Sequence, residues 1–298
     1  MSGRDSSGDA SVFRERANIP DVIYKYRQWS SPGEGAGPTR VPMEYHQAIL
    51  RGPSIWLASA EEFNDPFDSR LRLRYDLMRP SRRLKRIERM LHEEFPTMNA
   101  EKRRALARKR NTELGKEGDD PHDHVLQITY DEVGIFSASC RRDSLLMWSH
   151  YADSHKGFCV GLSVTELERF VEELYDRYGL FSPITTASRI TYRREYPVLD
   201  PETLDVEDKA VLPVLIKSID WEYEEEVRVL GVNGSKRKVD LPPTVICEVI
   251  LGCECSDEDR EAILGVVEGG LPHASVIQAS RKEDAFELVF EEIRSGTT

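Results

Sequence analysis

The pattern of apolar and polar positions divides the chain into short segments of changing period. Val22–Arg27 (VIYKYR) is β-branched and aromatic and predicts a first strand. Ser30–Arg40 is rich in Gly and Pro and reads as a loop. Glu44–Leu50 predicts a helix, and Ile55–Ala58 a second strand. In FNDPFD (Phe63–Asp68), Asn-Asp-Pro marks a turn, because the residue before proline is pushed out of the α region. Phe63 and Phe67 are expected to anchor that turn in the core. Leu84, Ile87, Leu91 and Phe95 recur at helical spacing, Pro96 interrupts, and Asn99 is placed to cap a second helix.

Further along, Val133–Ser139 reads as a buried strand, Asp143 as the cap of a short helix ending near Tyr151, and Gly157–Leu162 as another strand. Ser163 and Glu166 form a capping-box pattern. Leu167, Phe170, Val171, Leu174 and Tyr178 then make one apolar helix face, which Gly179 stops. Strand-like runs follow at Arg189–Arg193, Glu226–Gly231 and Val245–Leu251. Ser256 caps a helix ending near Gly269 and Gly270, and Ala274–Gln278 and Phe286–Phe290 close the series. Roughly nine short strands interleave with helices of irregular length. The expected class is α+β, a mixed, split sheet with surrounding helices, rather than a regular βαβ series. Residues 1–18 are polar and aperiodic and read as a disordered tail, so that 19–294 form a single domain.

Composition adds location and charge. Of 298 residues, 39% are hydrophobic and 32% charged, a globular balance that excludes global disorder. No segment has a leader pattern or the length to span a bilayer, so no membrane association is expected. Five cysteines match no disulfide framework, which fits a reducing, cytoplasmic setting. Cys247, Cys253 and Cys255 have no second pair or nearby His, so no metal site is expected from them. The net charge is −12, yet Arg79–Lys116 carries 13 Lys/Arg against 5 Asp/Glu. The 79–118 hairpin is therefore a basic insertion on an acidic body. Its Arg82–Lys116 surface either meets nucleic acid or another acidic partner, or is simply a solvated face.

The candidate chemistry lies in three clusters. Ser149, His150, Tyr151, His155 and Lys156 fall within eight residues beside an apolar strand. A histidine there serves as acid, base or ligand-positioning group, or packs with its nitrogens satisfied by backbone. Glu224, Glu226 and Arg228 alternate and on one strand would share a face. There a Glu, oriented by the Arg, could bond a ribose hydroxyl or act as general base. The other reading is an exposed edge strand. Asn64, Asp65 and Asp68 occupy the FNDPFD turn. Asn64 and Asp65 are read as ligand-binding, and Asp68 as structural. No P-loop, G-x-G-x-x-G, G-x-S-x-G or H-E-x-x-H occurs, which removes the enzyme classes those motifs mark.

Tyr24-Lys25-Tyr26, FNDPFD, MWSHYADSHKGFCVGL (Met147–Leu162) and Lys217 with Trp221–Arg228 (WEYEEEVR) together resemble an uncharacterised bacterial domain family of unknown function. The likeness covers roughly residues 22 to 291, with the basic hairpin as a variable insert. A fainter resemblance is to ADP-ribosyltransferases. It implies a split mixed sheet with NAD in its cleft, a polar residue on an early strand, Ser or an aromatic in the middle, and a late Glu. Tyr24, Lys25 and Tyr26 stand for the first, Ser149–Tyr151 for the second, and Glu224 or Glu226 for the third. The sequence departs from that pattern at the first element, which has no clear Arg or His, and in lacking an S-T-S strand.

What this resemblance implies is a nucleotide-using transferase acting on a protein or nucleic-acid acceptor. Glu226, Glu224 and His150 would be its catalytic residues. Tyr24, Lys25, Tyr26, Asn64, Asp65, Ser149, Tyr151, His155, Lys156 and Arg228 would bind NAD. Two alternatives stay open. One is a metal-dependent phosphodiester or nucleotide hydrolase with Asp65, Asp68, His150 and Glu224 as ligands. The other is a non-catalytic module that binds a partner through the hairpin.

Overall fold

The computed structural model describes residues 19–29, 43–71, 74–117, 133–179, 184–200, 212–231 and 234–296. The tail at 1–18 and the loop at 30–40 lie outside them. The helices are α1 (Met43–Arg51), α2 (Pro80–Glu94), α3 (Ala100–Glu117), α4 (Leu145–Tyr151), α5 (Val164–Tyr178) and α6 (Asp257–Gly270), with a further helical turn at 212–215. Twelve strands accompany them. They are β1 (Val22–Arg27), β2 (Ser54–Leu57), β3 (Gly134–Ser139), β4 (Phe158–Ser163), β5 (Ser188–Arg189), β6 (Thr191–Arg193), β7 (Ile216–Ser218), β8 (Glu226–Gly231), β9 (Arg237–Asp240), β10 (Ile246–Leu251), β11 (Ser275–Arg281) and β12 (Leu288–Arg294).

Eight strands form one sheet in the order β12-β11-β10-β4-β1-β3-β8-β5. The β10–β11 pair is parallel and its neighbours are antiparallel, so the sheet is mixed and the class is α+β. Strands β4 and β10 are largely apolar because both faces are covered. In β4, Phe158 and Val160 face a core shared with Ile49 and Leu50 of α1 and Ile263 and Val267 of α6. Cys159, between them, faces the opposite core with Tyr26, Met147, Trp148 and Ile250. Burying each large aliphatic side chain contributes about 1.5–3 kcal/mol. A third core joins the sheet to Leu167, Val171 and Leu174 of α5 and to the β2–β9 ladder.

Pairing is uneven in the middle of the sheet. β1 and β4 match at six positions, from Val22↔Ser163 to Arg27↔Phe158. β3 and β8 also match at six, from Gly134↔Gly231 to Ser139↔Glu226. Between the two blocks, β1 meets β3 only at Tyr24↔Ser139. Beyond that point the strands part, and residues of both line a cleft.

The hairpin has a core of its own. Ile87 and Leu91 of α2 and Ala107 and Leu114 of α3 pack on Tyr75, Met78, Leu199 and Ile216. Arg83 is buried in it, and its guanidinium donates to Tyr75 O at 3.0 Å and Asn111 Oδ1 at 2.8 Å.

Several local expectations need correction. Ser144, not Asp143, caps α4, its Oγ accepting from Met147 N, while Asp143 pairs with Arg141 at 2.8 Å. Arg189–Arg193 is not one strand. It breaks at buried Ile190, and β5 and β6 join different sheets. The last strand begins at Leu288, and Phe286 is 96% exposed. Tyr178 and Phe67 are also exposed, so only Phe63 anchors its turn. Periodicity marks which residues share a face but not where that face runs out of neighbours.

Candidate functional site

The cleft where β1 and β3 part has a volume of about 540 Å³. Lys25, Tyr26 and Arg27 line one side, and Ser137 and Ala138 the other. Ser149, His150 and Tyr151 of α4 reach it from above the sheet, and Phe63 and Asn64 from the FNDPFD turn.

At its floor lies a buried charge network in which Asp68, Glu224 and Glu226 face Lys217 and Arg228. Lys217 Nζ is 2.6 Å from Glu224 Oε2, 3.0 Å from Glu226 Oε2 and 3.3 Å from Asp68 Oδ2. Arg228 is fully buried. It donates through Nε to Glu226 Oε1 at 2.6 Å, and through its terminal nitrogens to Asp68 Oδ2 at 2.6 Å and Ser69 Oγ at 2.9 Å. Such a network holds because each charge is paired; removing one partner leaves an uncompensated buried charge.

The two glutamates reach the network by a route that simple alternation does not give. Glu226 opens β8, but Glu224 ends a 3-10 turn at Ile219–Glu224, and Glu225 between them is left-handed (φ 41°). Ser139 Oγ fixes this bend by donating to Glu224 O at 2.6 Å. Glu224, Glu226 and Arg228 therefore converge, though not as residues of one strand.

Their environments then separate them. Burial pushes the Glu226 carboxyl up, but Arg228 and Lys217 outweigh it and hold it well below the usual carboxylate range. Burial also raises Glu224; Lys217 opposes it, adjacent Glu226 adds to it, and the carboxyl stays above its ordinary value. Glu224 Oε1 accepts from Tyr151 OH at 2.6 Å, and Glu224 lines the cleft. The two neighbouring carboxyls are thus set apart: Glu226 is held as the anion, and Glu224 keeps its proton to higher pH than an ordinary glutamate.

The remaining candidates divide between this cleft and other places. Tyr24, Lys25, Tyr26, Asn64, Ser149, His150 and Tyr151 line it. The His150 ring lies 6.2 Å from that of Tyr223 and 6.4 Å from that of Tyr151. Arg228 acts from behind Glu226. Asp65 is buried, and its Oδ1 accepts from Phe67 N at 2.8 Å within its own turn. Asp68 lines the cleft as part of the charge network.

His155 and Lys156 are not among the residues lining this cleft. His155 faces another cavity, of about 660 Å³, where its Nδ1 is 3.8 Å from Cys253 Sγ. The loop that turns it away is left-handed at Asp153, Ser154 and His155 (φ 47°, 54° and 69°) and is closed by Gly157 N on Ala152 O at 2.8 Å. The 540 Å³ cleft is the better candidate because the motif residues meet the buried charges there.

Sequence reasoning missed Lys217 as a site residue, and also Arg27, His46 and Trp56 on the cleft wall. Lys217 had a signal, its fixed place ahead of Trp221–Arg228. Arg27 had one as well, alternating with Lys25 on β1. Among the described residues, no group of three His, Cys, Asp or Glu is arranged to hold a metal ion. Of the carboxylates named for a hydrolase, Asp65 is held by its turn, while Asp68 and Glu224 line the cleft paired with Arg228 and Lys217.

These features define an α+β protein with a polar cleft in a parted sheet. Residues 147–229 match the model of a family described as a protein of unknown function (DUF2971). The match runs from α4 into β8 and so includes Ser149–Tyr151, Lys217, Glu224, Glu226 and Arg228, in line with the resemblance to an uncharacterised domain family. No curated protein and no solved structure matches the chain. No described helix is long and apolar enough to cross a membrane.

Proposed function

We propose that the cleft binds NAD and that the protein transfers an ADP-ribosyl group to a protein or nucleic-acid acceptor. The observation that carries this reading is the buried Glu224 carboxylate, which faces a parted sheet while bonded to Tyr151 and anchored by Lys217. The residues present fit such a ligand. A volume of about 540 Å³ lies within the ligand-pocket range. Trp56 and Phe63 offer flat apolar walls for a base, and Glu224 offers an acceptor for a sugar hydroxyl.

When bound, NAD supplies a C–N glycosidic bond whose cleavage releases nicotinamide and passes the sugar carbon to the acceptor nucleophile. Glu224 would accept a hydrogen bond from a sugar hydroxyl of the ligand and would take the acceptor's proton as general base. Tyr151 and Lys217 orient that carboxylate, and Glu226 holds Lys217 in place. His150 and Ser149, exposed at the rim, position ligand and acceptor. This order differs from the expectation that put Glu226 first, because Glu226 is bonded to two cations, Arg228 and Lys217, whereas Glu224 has one cation, Lys217, and on its other oxygen only the Tyr151 hydroxyl.

The test is NAD consumption by the wild type and by Glu224→Gln and Tyr151→Phe. Glu224→Gln is expected to lose at least about 100-fold in kcat/KM, the lower end for a general base. Tyr151→Phe, which keeps the carboxylate but frees it to rotate, is expected to lose less. No consumption by the wild type with any acceptor would overturn the proposal.

A further inference from the structure

Lys25 and Arg27 sit at i and i+2 on β1, so their side chains leave the same face of the strand. Both line the cleft. Among the described residues, neither lies within ion-pair distance of a carboxylate, unlike Lys217 and Arg228 a few residues away. Lys25 Nζ donates to the carbonyl of Ser137 and rests 4.9 Å above the Phe136 ring. The one hydrogen bond of Arg27 is a long 3.5 Å contact from Nη1 to Tyr26 O, and its Nε is buried with no partner.

Two part-buried cations side by side, with no carboxylate in ion-pair contact, are costly. Burial and mutual repulsion both act against their charged forms. Burial pulls the Lys25 ammonium well below its ordinary value, with Arg27 adding to the effect and the more distant Glu226 and Glu224 opposing it without offsetting it, and burial takes the Arg27 guanidinium down to about 10. A fold that keeps such a pair at a cleft wall is balanced by something that enters the cleft. An arginine fork beside a lysine point charge matches the oxygens of a phosphoryl group, the fork by paired hydrogen bonds and the ammonium by charge.

We infer that Lys25 and Arg27 form an anion subsite that takes the phosphoryl groups of the nucleotide held in the cleft. This deepens the NAD reading and rests on it for the identity of the ligand. The subsite fixes the diphosphate at the β1 wall and leaves the sugar end of the ligand to Glu224 and Tyr151. Arg27 supplies the Nε that has no protein partner, and Lys25 supplies a donor already held over Phe136. The ligand's negative charge offsets the two cations, so the empty cleft is the less stable form of the protein.

The test uses the full chain and the probes inorganic pyrophosphate, ADP and adenosine, followed by calorimetric titration and thermal unfolding. Pyrophosphate and ADP are expected to bind and to raise the melting temperature. Adenosine is expected to bind at least about tenfold more weakly than ADP, since one charge-assisted hydrogen bond accounts for that factor. Arg27→Gln and Lys25→Met are each expected to weaken pyrophosphate at least about tenfold. Without ligand, each is expected to melt at or above the wild-type temperature, because a part-buried cation with no ion-pair partner has been removed.

No pyrophosphate binding by the wild type would overturn the inference. So would unchanged affinity in both variants, or lower melting temperatures with binding retained, which is the behaviour of merely structural residues. Failure of the two readings is distinguishable. Pyrophosphate bound through Arg27 with no NAD consumed keeps the subsite and overturns the transfer reading. NAD consumed with an unchanged KM in both variants does the reverse.

Discussion

Glu224 and Glu226 are two residues apart, and the structure gives them different work. Removing the Glu226 charge leaves Arg228 buried with only Asp68 beside it. Glu226→Gln is therefore expected to cost about 3–5 kcal/mol in chemical denaturation, the range for a broken buried pair. Glu224→Gln is expected to cost less, because Lys217 keeps Glu226 and Asp68. Their pH dependences have opposite signs. Glu226 is held low, so its contribution is present above its unfolded value, about 4.3, and is lost as pH falls through the folded one. Glu224 is held high, so its contribution is present below the unfolded value and is lost as pH rises through the folded one. Urea unfolding between pH 3 and 8, on the order of one unit per step, checks both: Glu226→Gln should flatten the acid limb, and Glu224→Gln should remove a decline on its alkaline side. The residue types of this site were legible in the sequence. Their division of roles was not, because it depends on which oxygens Arg228 and Lys217 occupy, and that is set by chain segments far apart, as Asp68 and Arg228 are at 160 residues.

Among the elements, strands and helices with strong local patterns were legible. β1, β3, β4, β8 and β10 fall close to their apolar runs, and Ser163 and Ser256 cap their helices by accepting from Glu166 N and Asp259 N. What periodicity does not carry is pairing. The parting of β1 from β3, which makes the cleft, is a matter of register between distant strands. The turn after α4 is similar, since three left-handed non-glycine residues have no periodic signal. Gly157 closes this turn against β1, and a Cβ there would lie 2.1 Å from Arg27 O. Gly157→Ala is thus expected to displace the strand carrying Lys25 and Arg27. It should lower the melting temperature and weaken ligand binding together, whereas Ser144→Ala should cost only about 1 kcal/mol of cap energy. Thermal unfolding with and without pyrophosphate separates the two.

The whole molecule combines an acidic body with a basic arm. Arg104 and Arg108 are exposed on α3, four residues apart, over a hairpin that packs through its opposite side. Reversing both charges is expected to leave stability within about 0.5 kcal/mol. If the acceptor is a nucleic acid, the same change should weaken its salt-dependent binding and leave NAD consumption without acceptor unchanged. Filter binding across a salt series, beside NAD turnover, measures both. Charge segregation was plain in the sequence. How the arm attaches was not, because Leu199 and Ile216, which complete its core, lie far along the chain. The most direct test of the central claim is transfer from NAD labelled on its adenylate side, in lysate with and without nuclease, comparing wild type, Glu224→Gln and a Glu226→Gln variant shown to be folded. Label transferred by the wild type, lost in Glu224→Gln and partly retained in Glu226→Gln is the predicted result. Transfer that survives in Glu224→Gln, or is absent from the wild type, would contradict it.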